Sequence, residues 1–192
     1  MGDALSQARE RITELEAGGG CEAVVAPPAR PLGARRLTAG ATREEWRRAI
    51  RAATRAVRIA AFTFDLQDVV DACVDARRRG VEVKLMYSYA DRNQTKNQES
   101  RLQALRSVGC QVRGWCGSRL HAKWLLADSV FVVGSCNFSE ASAANLERGV
   151  RLFLDPEDQR DEEGIFDLYF ANEKCHPFSA GIGEPCPRTP ER

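Results

Sequence analysis

The sequence predicts an α/β domain, a mixed β-sheet with helices on both faces. Three observations predict it. Between residues 42 and 174, apolar runs of strand length alternate with amphipathic stretches of helix length. Gly80 and Gly109 stand where two of those helices should end. The runs at 120–127 and 130–134 lie close enough to pair as a tight hairpin.

The elements follow in order. Residues 3–17, DALSQARERITELEA, carry Leu5, Ala8, Ile12 and Leu15 at alternating spacings of three and four, a helical pattern that Gly18 to Gly20 end. Residues 21–40 are rich in Pro, Ala and Gly, so 1–41 reads as an N-terminal helix and linker. Thr42 is expected to cap a helix reaching Ala56, with Glu45 in the capping-box position and Trp46, Ile50, Ala53 and Val57 as its inner face. Then come a strand (57–64), a helix (66–80), a strand (81–88), a polar loop (90–98), a helix (99–109) and a strand (110–115). After the hairpin, RGVRLFL (148–154) returns as a strand, and Pro156 opens a last helix reaching Lys174. The domain is expected over 42–175, with residues 176–192, which include four prolines, as a disordered tail.

At 192 residues, with 43% hydrophobic and 29% charged residues, the chain has the balance of a folded globular protein. A net charge of +1 argues neither for nor against nucleic acid, so any basic surface must be local. Arg43, Arg47, Arg51 and Arg55 recur every four residues and Arg77 to Arg79 end the next helix. Either group could meet lipid headgroups or a nucleic-acid backbone, but acids such as Glu44 beside them suit a solvated face. No stretch approaches the length of a membrane span and no signal peptide is evident. The seven cysteines form no C-x-x-C pair, which reads as reduced thiols in a cytosol-like compartment. With only His121 and His176 to complete a metal site, no metal and no cofactor are expected.

The chemistry concentrates in RLHAKWLLADSVFVVGSCNFSEASAANLERG (119–149). Side chains alternate along a strand, so His121, Lys123, Leu125 and Ala127 share one face and Trp124 and Leu126 the other. A lysine and a histidine on a buried sheet face are costly unless an anion meets them. After Gly134, where another backbone can approach closely, Ser135 and Asn137 are again two apart, with Cys136 pointing inward between them. Imidazole, ammonium, hydroxyl and carboxamide together suit a phosphate, with a nucleophile among them.

H-A-K-W-L-L-A-D followed by G-S-C-N resembles the H-x-K-x4-D…G-S-x-N signature of the phospholipase D superfamily, whose element order residues 42–174 also follow. The resemblance implies a phospholipase D-like catalytic domain and a metal-independent phosphodiesterase. It makes His121 the nucleophile that forms a phosphohistidine. Lys123 and Asn137, helped by Ser135, hold the phosphate oxygens. Asp128 and Gly134 are structural members of the motif. Asn145-x-Glu147 resembles the family's acidic position, whose carboxylate hydrogen-bonds the imidazole. One spacing departs. The family usually has six residues between the motif Asp and Gly, and here Ser129 to Val133 are five. A shorter turn at Asp128–Ser129 would keep Ser135 and Asn137 in place, whereas a deletion inside the strand would reverse every later side chain.

The motif occurs once, and a leaving group at phosphorus needs a second acid. A homodimer sharing one active site is therefore expected, with His121 of two chains as nucleophile and general acid. Small single-motif relatives are cardiolipin hydrolases of the mitochondrial surface and small endonucleases, and LQALRSVGCQVR is more similar to the first group. The expected substrate is a phospholipid at a membrane surface and the expected location intracellular, cytoplasmic or at the mitochondrial surface. The alternatives are an endonuclease for single-stranded DNA or RNA and an inactive phosphate-binding module, which the shortened hairpin favours. Trp115, Trp124 and Phe138 are the aromatics near the motif, with Trp124 expected in the core. Tyr87 and Tyr89 end a strand near the site's mouth, where lining it and ordinary packing are both open.

Overall fold

A computed structural model describes residues 33–89, 96–116 and 120–178. The expected N-terminal helix, most of the linker, the start of the polar loop and the tail from residue 179 lie outside the described residues. The rest is an eight-stranded mixed sheet in the order β1-β7-β6-β5-β2-β3-β4-β8. Its strands are β1 (Arg35–Thr38), β2 (Ala56–Ala61), β3 (Glu82–Ser88), β4 (Gln111–Trp115), β5 (Lys123–Ala127), β6 (Val130–Gly134), β7 (Arg148–Phe153) and β8 (Cys175–Pro177). The helices are α1 (Ala39–Ala52), α2 (Gln67–Arg78), α3 (Lys96–Ser107) and α4 (Pro156–Phe170).

β2, β3 and β4 run parallel because α2 and α3 carry the chain back between them. Every other pairing is antiparallel. Trp46 and Ile50 of α1, Val69 and Cys73 of α2 and Leu102 and Leu105 of α3 bury against one face of the sheet. On the other face α4 sets Phe166 and Phe170 against Ala60, Met86 and Trp124. The two faces differ because α1 to α3 present apolar stripes, whereas α4 is pinned by charge as well. Arg58 and Lys84 project from β2 and β3 onto Asp167 at 2.9 and 3.0 Å.

Two boundaries move. β1 and the start of α1 precede residue 42, and β8 and the core residue Phe178 follow residue 175, so the ordered domain is wider than expected at both ends. Helix α1 starts at Ala39 with Thr38 as its cap, not Thr42. Thr42 lies in the first turn and returns its hydroxyl to the Thr38 carbonyl at 2.8 Å, while Glu45 is buried against Arg48 and Arg151. A pairing of β1 with β7 fixes where the helix can begin, and that pairing is not local.

Candidate active site

β5 and β2 are antiparallel, so His121 and Lys123 arrive at the edge where the parallel strands β2, β3 and β4 end. Open α/β sheets place their ligands outside those carboxyl ends. The β5–β6 hairpin closes in a two-residue turn, Asp128–Ser129, with Ala127 paired to Val130. Asp128 sits at φ 50°, a left-handed conformation that aspartate tolerates better than most residues. The turn thus absorbs the shortened spacing, and the alternation survives: Leu125 and Val132 lie in the helix-covered core, Trp124 against α4.

His121 is exposed, so its imidazole is open to solvent. Lys123 is buried, with 8% of its surface accessible. Its Nζ donates to the His121 carbonyl at 2.9 Å. Phe62, just past β2, joins the two: its ring meets the imidazole edge-on at 5.1 Å and lies 5.2 Å from the ammonium. Burial lowers the Lys123 pKa below the ordinary lysine value, and the negative charge of Glu147 only partly opposes it. Among the described residues Lys123 forms no ion pair. Phe62 was not singled out in the sequence, because nothing local shows that the residue after β2 stands beside the start of β5.

The opposite side of the site hangs on Gly134. A Cβ there would fall 2.4 Å from the Arg148 carbonyl oxygen and 2.7 Å from Gly149 Cα, so only glycine lets β6 and β7 run this close. That approach brings Ser135 to Glu147, and the hydroxyl donates to the carboxylate in a short hydrogen bond. Asn145 Nδ2 donates to the second oxygen at 3.3 Å. Glu147 is 9% exposed, and a buried carboxylate needs such donors. The expected imidazole–carboxylate bond is absent among the described residues. Glu147 is held by Ser135 and Asn145 instead. Asn137 is fixed through its backbone, whose N–H donates to Ser142 Oγ at 3.0 Å. Its side-chain Oδ1 is buried without a hydrogen-bond partner among the described residues. Cys136 points into the core, and burial, with Glu147 adding to it, pushes its thiol pKa up.

Asp128 faces away from all of this, at the closed end of the hairpin. Its Oδ2 accepts the Thr54 N–H (2.8 Å) and hydroxyl (3.1 Å), and its Oδ1 the N–H groups of Arg55 (3.1 Å) and Ala56 (2.9 Å). Burial alone would raise this carboxyl, but those donors outweigh it and hold the pKa below 3.8.

The family described as "Cardiolipin synthase, PLD-like domain" matches residues 46–162, more than half of the chain. The chain belongs to the phospholipase D superfamily. The enzymes of this superfamily cleave phosphodiesters, and this chain is one of that class. Among solved structures it is similar to Nuc of Salmonella typhimurium, a phospholipase D family member, at 21% identity and a TM-score of 0.67, over 76% of this chain and 99% of Nuc. NucT of Helicobacter pylori gives 18% and 0.65, over 76% and 99%. The archaeal chromatin protein TrmBL2, described for its mode of DNA binding, gives 17% and 0.57, over 92% of this chain and 63% of that one. At these identities the likeness is one of fold. No curated protein matches the sequence.

Other residues considered for this phospholipase D-like site turn out to be structural. Arg43 pairs with Asp68 and Glu140, Arg47 with Glu44 and Asp68, and Arg55 with Glu163. Arg79 closes α1 by donating to the carbonyls of Ile50, Arg51 and Ala53, and Arg77 donates to Gly109. Tyr87 and Phe138 are fully buried, Phe138 stacked on Trp46 at 3.9 Å. His176, expected in the tail, lies on β8 opposite Gly114. β8 is four strand spacings from β5, about 19 Å, so His176 cannot serve the same phosphorus as His121. Cys73, Cys110, Cys136 and Cys175 are free, but Cys116 is disulfide-bonded, which corrects the expectation of reduced thiols at that position. Its N–H bonds to the Lys174 carbonyl at 2.7 Å, a contact remote in sequence. Among the described residues no helix is long and apolar enough to cross a membrane.

Proposed function

We propose that this protein is a metal-independent phosphodiesterase that hydrolyses phospholipid through a phosphohistidine on His121. The buried ammonium of Lys123 carries the proposal. A desolvated cation with no ion pair among the described residues, beside an exposed imidazole, is costly in the empty site and is offset when a phosphate oxygen takes it up. His121 attacks phosphorus, and Lys123 and Asn137 hold the non-bridging oxygens as charge builds. Ser135 and Asn145 hold the Glu147 carboxyl group in place beside the site. The second histidine comes from another copy of the chain, since His176 is out of reach.

A second reading, cleavage of single-stranded nucleic acid with the same residues, is favoured by Arg148. It is exposed, and beyond the one N–H that donates to the Glu147 carbonyl at 3.0 Å its guanidinium has donors for a neighbouring phosphate. The deciding experiment incubates the protein in EDTA with cardiolipin vesicles and with labelled single-stranded DNA, beside His121→Ala. Lipid cleavage that tracks vesicle composition supports the proposal. Cleavage of DNA alone, falling steeply with salt, replaces it by the second reading. Exchanging subunits between wild type and an equal amount of His121→Ala should halve the activity per wild-type chain if two chains share one site, and leave it unchanged if each holds a complete one.

Lys123→Met separates chemistry from folding. Turnover is expected to fall about 10²- to 10³-fold with the loss of a transition-state cation. Stability moves the other way. A lysine whose folded pKa is lowered costs stability while protonated, and that cost disappears as pH rises through the ordinary lysine value. The thermal midpoint at pH 7 should therefore rise by about 2 °C, and the gain should vanish above about pH 10.5. A calorimetric series over pH checks the sign.

A further inference from the structure

Behind His121, on the side of β5 away from Lys123, lies a cavity of about 260 Å³ between the sheet and α4. Trp115, Leu120, Trp124, Ile165, Phe166 and Tyr169 form its walls, with Ala122 as a small residue in its lining. Aromatic pairs brace those walls: Trp115 meets Tyr169 edge-on at 5.8 Å and Trp124 meets Phe166 at 5.5 Å. His121 belongs to both regions. Its ring touches Phe62, next to Lys123, and it also lines the cavity.

We propose that this cavity takes one aliphatic chain of the substrate, so that the site selects phosphodiesters that carry an alkyl tail beside the reacting phosphate. The inference rests on reading His121 and Lys123 as the phosphate site. The lining chemistry points to the occupant. Among the described residues no lysine or arginine lines the cavity, and the one acidic residue there is Glu162. Burial pushes the Glu162 carboxyl up, and the neighbouring Asp158 and Asp161 push it further. A nucleic-acid strand carries a phosphate at every nucleotide, and among the described residues a second phosphate entering here would meet the Glu162 carboxyl and no lysine or arginine. An alkyl chain meets mostly apolar walls and needs no counter-charge. The corner position of His121 then explains how one substrate uses both regions, headgroup phosphate in front and tail behind.

Calorimetry with alkylphosphonates of two to twelve carbons, each below its micelle concentration, tests this on the intact protein. The dissociation constant should fall about fourfold per added methylene, equivalent to about 0.8 kcal/mol, until the cavity is full, and then level off. Two variants fill the cavity from opposite walls, Ile165→Trp and Ala122→Leu. Whichever folds should flatten the series to less than about 1.5-fold per methylene. If ethylphosphonate binds but chain length has no effect, or the gradient survives both variants, the cavity proposal is overturned while the phosphate site stands. Displacement of dodecylphosphonate by single-stranded oligonucleotide also overturns it, in favour of a stacked base. If no phosphonate of any length binds, the phosphate reading itself fails.

Discussion

Replacing His121 by alanine should lower phosphodiester turnover by at least about 10⁴-fold, if the proposed attack by its imidazole carries the reaction, because no second histidine is within reach. The only other histidine is held on β8, about 19 Å across the sheet. The fold should barely notice. His121 is exposed and its described ring contact is the edge of Phe62, so the unfolding midpoint should move by no more than about 2 °C. The measurement is turnover of a chromogenic diester beside a thermal melt of the same preparation. Residual activity above about one hundredth of the wild type would remove His121 from the role of nucleophile.

The second large effect is on stability, at the other end of the motif. Asp128→Ala should cost about 3 kcal/mol, from unpaired N–H groups at Thr54, Arg55 and Ala56 together with alanine forced to φ 50°. Asp128→Asn keeps a residue that tolerates this backbone and one acceptor oxygen, and should cost about half as much. The pH dependence has a fixed sign. A carboxyl lowered in the folded state contributes fully above its unfolded value of 3.8 and loses that contribution as pH falls through the folded value. Urea unfolding should therefore show the wild-type advantage intact at pH 7 and shrinking below about pH 4. Asp128 lies roughly 15 Å along β5 from the site, so activity per folded molecule should change by less than about threefold. A hundredfold loss in well-folded Asp128→Asn would place this residue in the chemistry instead.

Much of the architecture was legible because it rests on short-range patterns. The turn of Trp124 and Leu125 to opposite faces of β5, and the inward turn of Cys136, need only strand geometry and a tight turn. What sequence patterns missed depends on contacts between distant segments. β1 is an arginine-bearing edge whose strand character comes from pairing with β7, and without it Thr42 is as good a cap as Thr38. β8 is three residues ending in proline, indistinguishable from a tail until β4 supplies its partner. Glu147 was recognised as acidic and near the site, but the choice of Ser135 over the imidazole follows from how closely β6 and β7 meet at Gly134. Phe62 and the aromatic cavity gather residues from β2 to α4, and no local spacing brings them together.

The two flanks of the sheet also limit how such molecules can associate. Among the described residues one outermost strand is β1, where Arg35 and Arg36 are exposed, and the other is β8, where Pro177 has no amide hydrogen to give. Extending the ribbon of strands into a neighbouring molecule would strand positive charge on one flank and break the hydrogen-bond ladder on the other. Fibre-like growth is thereby discouraged.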